Sequence, residues 1–161
     1  MRGSLKIACV ARALGLALLM AVIGATSLAP QASAESRYGK QKVVYHINYP
    51  GGDGAKAYIR ALRNVQNHIT AVGKDNITVK VVLHGDGVDL LKEAVGNAKL
   101  QGEVTSLKTQ NTSFVVCNNT LVGRKIDPDK DLFEVFKEDI VPSGVAELSY
   151  LQGQGYTYIK P

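Results

Sequence analysis

The sequence is short of pairs. Of its 161 residues only two are cysteine. One of them, Cys9, precedes an N-terminal apolar run, so the chain beyond residue 34 has a single thiol, Cys117. That excludes a dithiol redox enzyme, which needs two. No CxxC or HxxxH spacing is present, and close ligand pairs of that kind are what make a zinc site legible in a sequence. No serine sits in a G-x-S-x-G frame, which argues against a hydrolase of the nucleophile-elbow type. No basic stripe alternates with aromatics, so the sequence carries no nucleic-acid footprint. There is no internal repeat, low-complexity tract or linker.

The one long apolar run marks an address rather than a fold. Arg2, Lys6 and Arg12 precede Ala13 to Ala29, and Ala32-Ser33-Ala34 places small residues where a signal peptidase reads them. At roughly 17 residues the run is at the lower limit for a bilayer span. The expectation is a cleavable signal peptide, residues 1–34, with the cut between Ala34 and Glu35. The remaining product, residues 35–161, would be periplasmic with no membrane attachment. The leader holds three of the nineteen cationic residues and none of the fourteen acidic ones, so the net charge falls from +5 to +2 on cleavage. A near-neutral domain of this length can bury a proper core.

Strand and helix signals alternate along that domain. Val43 to Tyr49, Ile77 to Leu83, Ser113 to Val116, Asp139 to Val141 and Tyr156 to Ile159 read as strands. Between them, Ala55, Tyr58, Ile59, Leu62, Val65, Ile69 and Val72 form one helical stripe, with Asp53 as the expected N-cap and Gly73 as the C-terminal stop. A second helix is expected to turn Val88, Leu91, Val95 and Ala98 inward, with Asp86 as its cap and Gly96 and Gly102 as interruptions. A short one carries Val104 and Leu107, another Leu132, Val135 and Phe136, and a last one Val145, Leu148 and Leu151. Such alternation predicts an α/β three-layer sandwich: a mostly parallel five-stranded sheet flanked by helices on both faces.

The leading strands all end in polar or glycine-rich turns. In a parallel sheet these gather along the carboxyl edge, where α/β ligand sites form. That edge would collect His46, Asn48, Gly51-Gly52-Asp53, His84, Asp86, Cys117 with Asn118, Asn119 and Thr120, and Ser143-Gly144. Cys117 closes a β-branched, aromatic strand and opens a helical turn, whose amides favour thiolate over thiol. Arg124 and Lys125 follow. This predicts a reactive thiol with a pKa below the free value of about 8.5. His84 offers either a strand-end hydrogen bond or a charge partner and proton shuttle. His46 reads as a structural hydrogen bond and Asp86 as a helix cap. A metal site from His46, His84 and Cys117 would suit zinc or copper by ligand type but lacks a close pair. No cofactor is expected.

Three segments carry a resemblance to a known family: His84-Gly85-Asp86-Gly87 after an apolar strand, Phe114 to Leu121, and Val141-Pro142-Ser143-Gly144-Val145-Ala146-Glu147-Leu148 with Leu151-Gln152 and Gly155-Tyr156. From Lys42 to Pro161 the chain resembles the DsrE/DsrF-like family, most closely its small exported single-domain members. The resemblance implies a compact α/β domain forming homotrimers or homohexamers. It also implies sulfur carriage similar to that of the TusD-type carriers, in which a cysteine ending the third strand becomes a persulfide and passes its sulfur on. Cys117 stands at that position, and Arg124 lies near the family's basic segment. Asn118-Asn119-Thr120 replaces an alanine-rich turn.

The expected function is therefore binding or transfer of sulfane sulfur. Cys117 and His84 are the chemical residues; Asn118, Asn119, Thr120, Arg124, Asn48 and Asp86 line the site. The partner is a small sulfur species or a persulfide-bearing donor protein. The competing expectation is a non-enzymatic oligomeric binding or scaffold protein in which Cys117 is only structural and Tyr156, Tyr158 and Ile159 pack an interface.

Overall fold

The computed structural model describes residues 35–161; the expected leader and its cleavage point lie outside the described residues. A single turn of helix, α1 (Glu35–Tyr38), leads into β1 (Gln41–Ile47). A 3-10 turn, Asp53–Ala55, then precedes α2 (Lys56–Val72), and β2 (Ile77–Leu83) follows. Another 3-10 turn, Gly85–Val88, opens α3 (Asp89–Ala94), and α4 (Ala98–Lys108) leads to β3 (Thr112–Cys117). Next come α5 (Asn118–Arg124), α6 (Pro128–Asp131) and the two-residue β4 (Ile140–Val141). Last are α7 (Gly144–Gly153) and β5 (Thr157–Ile159).

All strand pairs are parallel, in the order β4-β3-β2-β1-β5. The predicted five-stranded α/β sheet is the observed one. Its two faces follow from the order. The chain steps one way from β1 to β4, and right-handed crossovers put every intervening helix on one side. The step from β4 back to β5 runs the other way, so α7 lies on the opposite side.

Strand alternation sorts the side chains accordingly. Val43, Tyr45, Ile47, Val79, Val81, Leu83, Phe114 and Val116 join Leu62, Val65, Ile69, Leu91, Leu100, Val104 and Leu107 in the larger core. Val44, Val82 and Val115 meet only Leu148 and Leu151 of α7, with Val141 and Tyr156 beside them.

Several local expectations fail for local reasons. Asp53 makes no cap hydrogen bond; it lies inside the 3-10 turn, and α2 begins from Ala55, a buried residue held at φ 58°. The Asp86 carboxylate caps nothing either. Gly102 lies within α4 rather than interrupting it. Val95 and Ala98 are exposed because α3 has already ended at Ala94. Val145 and Phe136 also face outward. Gly73 does stop α2, with φ 92° and its N–H on the Ile69 carbonyl at 2.8 Å. The predicted second strand, Ile77 to Leu83, matches β2 at both ends.

Candidate functional site

Cys117 is the last residue of β3 and the residue from which α5 starts. Alternation along β3 sends Phe114 and Val116 into the larger core, so Val115 and Cys117 face α7. Cys117 is 5% exposed. Burial pushes it up, and this is the largest single influence on it. The N–H groups of Gly144, Thr120 and Asn119, with the Thr120 hydroxyl, act in the opposite sense, and together they hold the thiol below its ordinary value. No charged side chain contributes to that lowering. The anion is stabilised by amides at the starts of two helices and by one hydroxyl.

Each donor is held in place. Thr120 Oγ1 accepts the Gly85 N–H at 2.9 Å, which commits a lone pair and leaves its own proton for the sulfur. The Asn119 N–H also reaches the Pro142 carbonyl at 3.3 Å, tying α5 to the entry of α7. Ser143 caps α7, accepting from the Ala146 N–H at 3.4 Å. Gly144 owes its identity to crowding. A β-carbon there would lie 3.0 Å from His84 Cβ and 3.2 Å from Cys117 Cβ. The same two distances show that His84 and Cys117 stand side by side under the start of α7.

From Cys117 a row of polar side chains runs across the sheet. His84 follows β2 in the position next to Cys117, because Leu83 pairs with Val116 one residue earlier. Its Nε2 is 2.7 Å from His46 Nε2, and the two rings meet edge to edge, their planes 22° from parallel and their centres 4.8 Å apart. His46 Nδ1 is 2.7 Å from the Tyr158 hydroxyl on β5. His46 is pushed down to about 4, by burial first and then by His84 and Lys160; burial and Lys160 also lower His84. At neutral pH both rings are uncharged, so neither serves as a cationic partner for the thiolate.

The remaining expected site residues divide. Thr120 touches the sulfur directly. Asn118 and Asn119 expose their side chains, and Asn119 takes part through its backbone. Asn48 lies just past the end of β1, two strands from Cys117. Arg124 is turned away from the sulfur. Its Nη2 donates to both Asp89 carboxylate oxygens at 2.9 Å and its Nη1 to the Gly85 carbonyl at 3.0 Å. Asp86 stands 4.0 Å from the same guanidinium. This group clamps α5 onto the Gly85–Val88 turn and so fixes Thr120 indirectly. Among the described residues no group of three His, Cys, Asp or Glu could hold a metal ion. His46 and His84 spend their facing nitrogens on each other.

The sequence reading missed Gly144 as a donor, Tyr158 as a member of the row, and His46 as more than a structural bond. The alternation of Tyr156 and Tyr158 was the available signal for the second, and a glycine just after a capping serine was the signal for the first. Two surface clefts, of about 380 and 480 Å³, lie elsewhere, and Cys117 lines neither.

Comparison with known proteins places the fold. The model of the DsrE/DsrF-like family matches residues 42–161. A solved structure of a protein of unknown function from Methanobacterium thermoautotrophicum is similar at 29% identity and TM-score 0.62, covering 76% of this chain and 100% of the other. No curated protein matches the chain.

Proposed function

Since the chain belongs to the DsrE/DsrF-like family, a membership that suggests a role in sulfur relay, we propose that it accepts, holds and passes on sulfane sulfur as a persulfide on Cys117. The observation that carries this reading is the set of four donors converging on a thiol that is nearly sealed from water yet held below its ordinary value. An inert core cysteine needs no such donors. A nucleophilic one does, because the thiolate is the species that attacks.

The step is a displacement at sulfur. The Cys117 thiolate attacks the outer sulfur of a persulfide R–S–SH. A Cys117–sulfur bond forms, the donor's S–S bond breaks, and Cys117–S–SH and R–S⁻ result. No oxidant is needed, because the sulfane sulfur only changes partner. The leaving thiolate takes up a proton, and His84, beside Cys117, is the group placed to give it. Delivery to an acceptor thiolate is the same step reversed.

Incubation with glutathione persulfide followed by mass analysis tests the reading. The expected result is an increment of about 32 Da per sulfur atom on the peptide containing Cys117, absent in Cys117→Ser with the fold intact. No increment on that peptide, or the same uptake by Cys117→Ser, would overturn the proposal.

A further inference from the structure

From the unbroken chain of short contacts between Tyr158, His46 and His84 we infer a proton relay that runs from the half-exposed Tyr158 hydroxyl to the leaving group at Cys117, with Tyr158 and His46 as its positioning residues. The inference rests on the persulfide reading above.

The geometry permits only two proton arrangements. Two imidazole nitrogens 2.7 Å apart must share one proton, one donating and one accepting. The second contact, 2.7 Å between His46 Nδ1 and the Tyr158 oxygen, is then determined by the first. In one arrangement the Tyr158 hydroxyl donates to His46 Nδ1, His46 Nε2–H donates to His84 Nε2, and His84 carries its proton on Nδ1. In the other, His84 Nε2–H donates to His46 Nε2, and His46 Nδ1–H donates to the Tyr158 oxygen. Shifting one proton along each bond, with His84 Nδ1 giving its proton up and the tyrosyl oxygen regaining one, converts the first into the second and leaves no charge on either ring.

That conversion is what the transfer step consumes. The leaving R–S⁻ takes the proton from His84 Nδ1. His84 Nε2 takes one from His46, His46 Nδ1 takes one from Tyr158, and the tyrosyl oxygen is reprotonated by water. The balance is one proton from solvent for one thiol released. Tyr158 is 40% exposed whereas His46 is 8% exposed, so the hydroxyl is the end that meets water. The other groups facing the row are Cys117 on β3 and Lys160 just beyond β5, whose charge disfavours a protonated ring on either histidine. The helix packed over it, α7, brings Gly144 against His84.

A relay of this kind matters only when the leaving thiolate is basic. The test compares two probes on the full chain: glutathione persulfide, which releases an alkyl thiolate, and an aryl disulfide, which releases a weakly basic aryl thiolate needing no proton. Tyr158→Phe removes only the exposed hydroxyl. It should slow loading from glutathione persulfide by about tenfold or more, with the aryl disulfide reaction and its pH profile unchanged within about twofold. His46→Gln, which keeps a hydrogen bond but cannot relay, should behave alike. Equal slowing with both probes would make the residues merely structural, and no slowing with either would remove them from the reaction; each result overturns the relay. If the wild-type chain takes no sulfur from glutathione persulfide, it is the persulfide reading that fails. The relay is then judged on the same two variants with glutathione disulfide in place of the persulfide.

Discussion

The two faces of the sheet are built to different standards. The face toward α2, α3 and α4 is largely apolar, with the Tyr45 hydroxyl paired to His68 of α2, and its most deeply buried residues have 0–1% exposure. The face toward α7 has one helix and a small apolar patch, and at its carboxyl end the patch gives way to Cys117, His84, His46 and Tyr158. The same strands supply both faces. What differs is what must be satisfied. An apolar core needs only volume filled, whereas a row of polar groups needs each partner placed within hydrogen-bond range. Stability is thus concentrated on the thick face, and the thin one is left to hold chemistry.

The sharpest test of that contrast removes one leucine from each side. Leu62→Ala, in the middle of α2, should cost about 3–4 kcal/mol, and Leu148→Ala, on α7, about 2 kcal/mol, as read from denaturant midpoints. Equal losses would break the comparison. The next effect comes from acid. The ordinary histidine value is 6.5, and His46 stands at about 4 in the fold. The unfolded chain therefore binds the proton first. The contribution is fully present above about pH 6.5 and is lost as the pH falls through about 4, a change of about 3 kcal/mol. His84, on the same face, and His68, beside Tyr45 on the other, are lowered too and add in the same direction. Unfolding measured at pH 7 and pH 4.5 should show the loss, and His46→Gln should flatten it. A profile unchanged by that substitution would place the acid sensitivity elsewhere. The smallest effect is expected at the surface clamp. Arg124→Ala should cost less than about 1 kcal/mol and leave the pH midpoint of Cys117 alkylation where it was. A rise in that midpoint would mean that the thiolate depends on Arg124, through its charge or through its hold on Thr120.

Much of this arrangement was legible in the residues themselves. Ile77 to Leu83 reads as a strand because it is rich in β-branched residues, with Lys80 the one charge, and meets a polar, glycine-rich stop. Cys117 and Thr120 read as a site because a strand end and the helix start after it are neighbours in sequence. What was not legible came from distance along the chain. Gly144 reaches the sulfur because β4 pairs with the end of β3, Val141 opposite Cys117, and Tyr158 reaches the row because the chain then recrosses the sheet to β5; no local pattern announces either pairing. Arg124 failed for the converse reason: seven residues of helix carry it about 10 Å along the axis from Cys117, so closeness in sequence did not make closeness in space. Val95 and Ala98 failed because a 3.6-residue period was extended past the point where the helix stopped.

The recrossing also sets an order in time. Cys117, His84 and His46 have all been synthesised before residues 144–161, which hold the Gly144 amide and the Tyr158 hydroxyl. Because domains are synthesised from the N-terminus and distant contacts form late, the thiol spends the interval before α7 docks without its lid amide. The Gly144 donor and the covering of the thiol arrive together, when α7 docks.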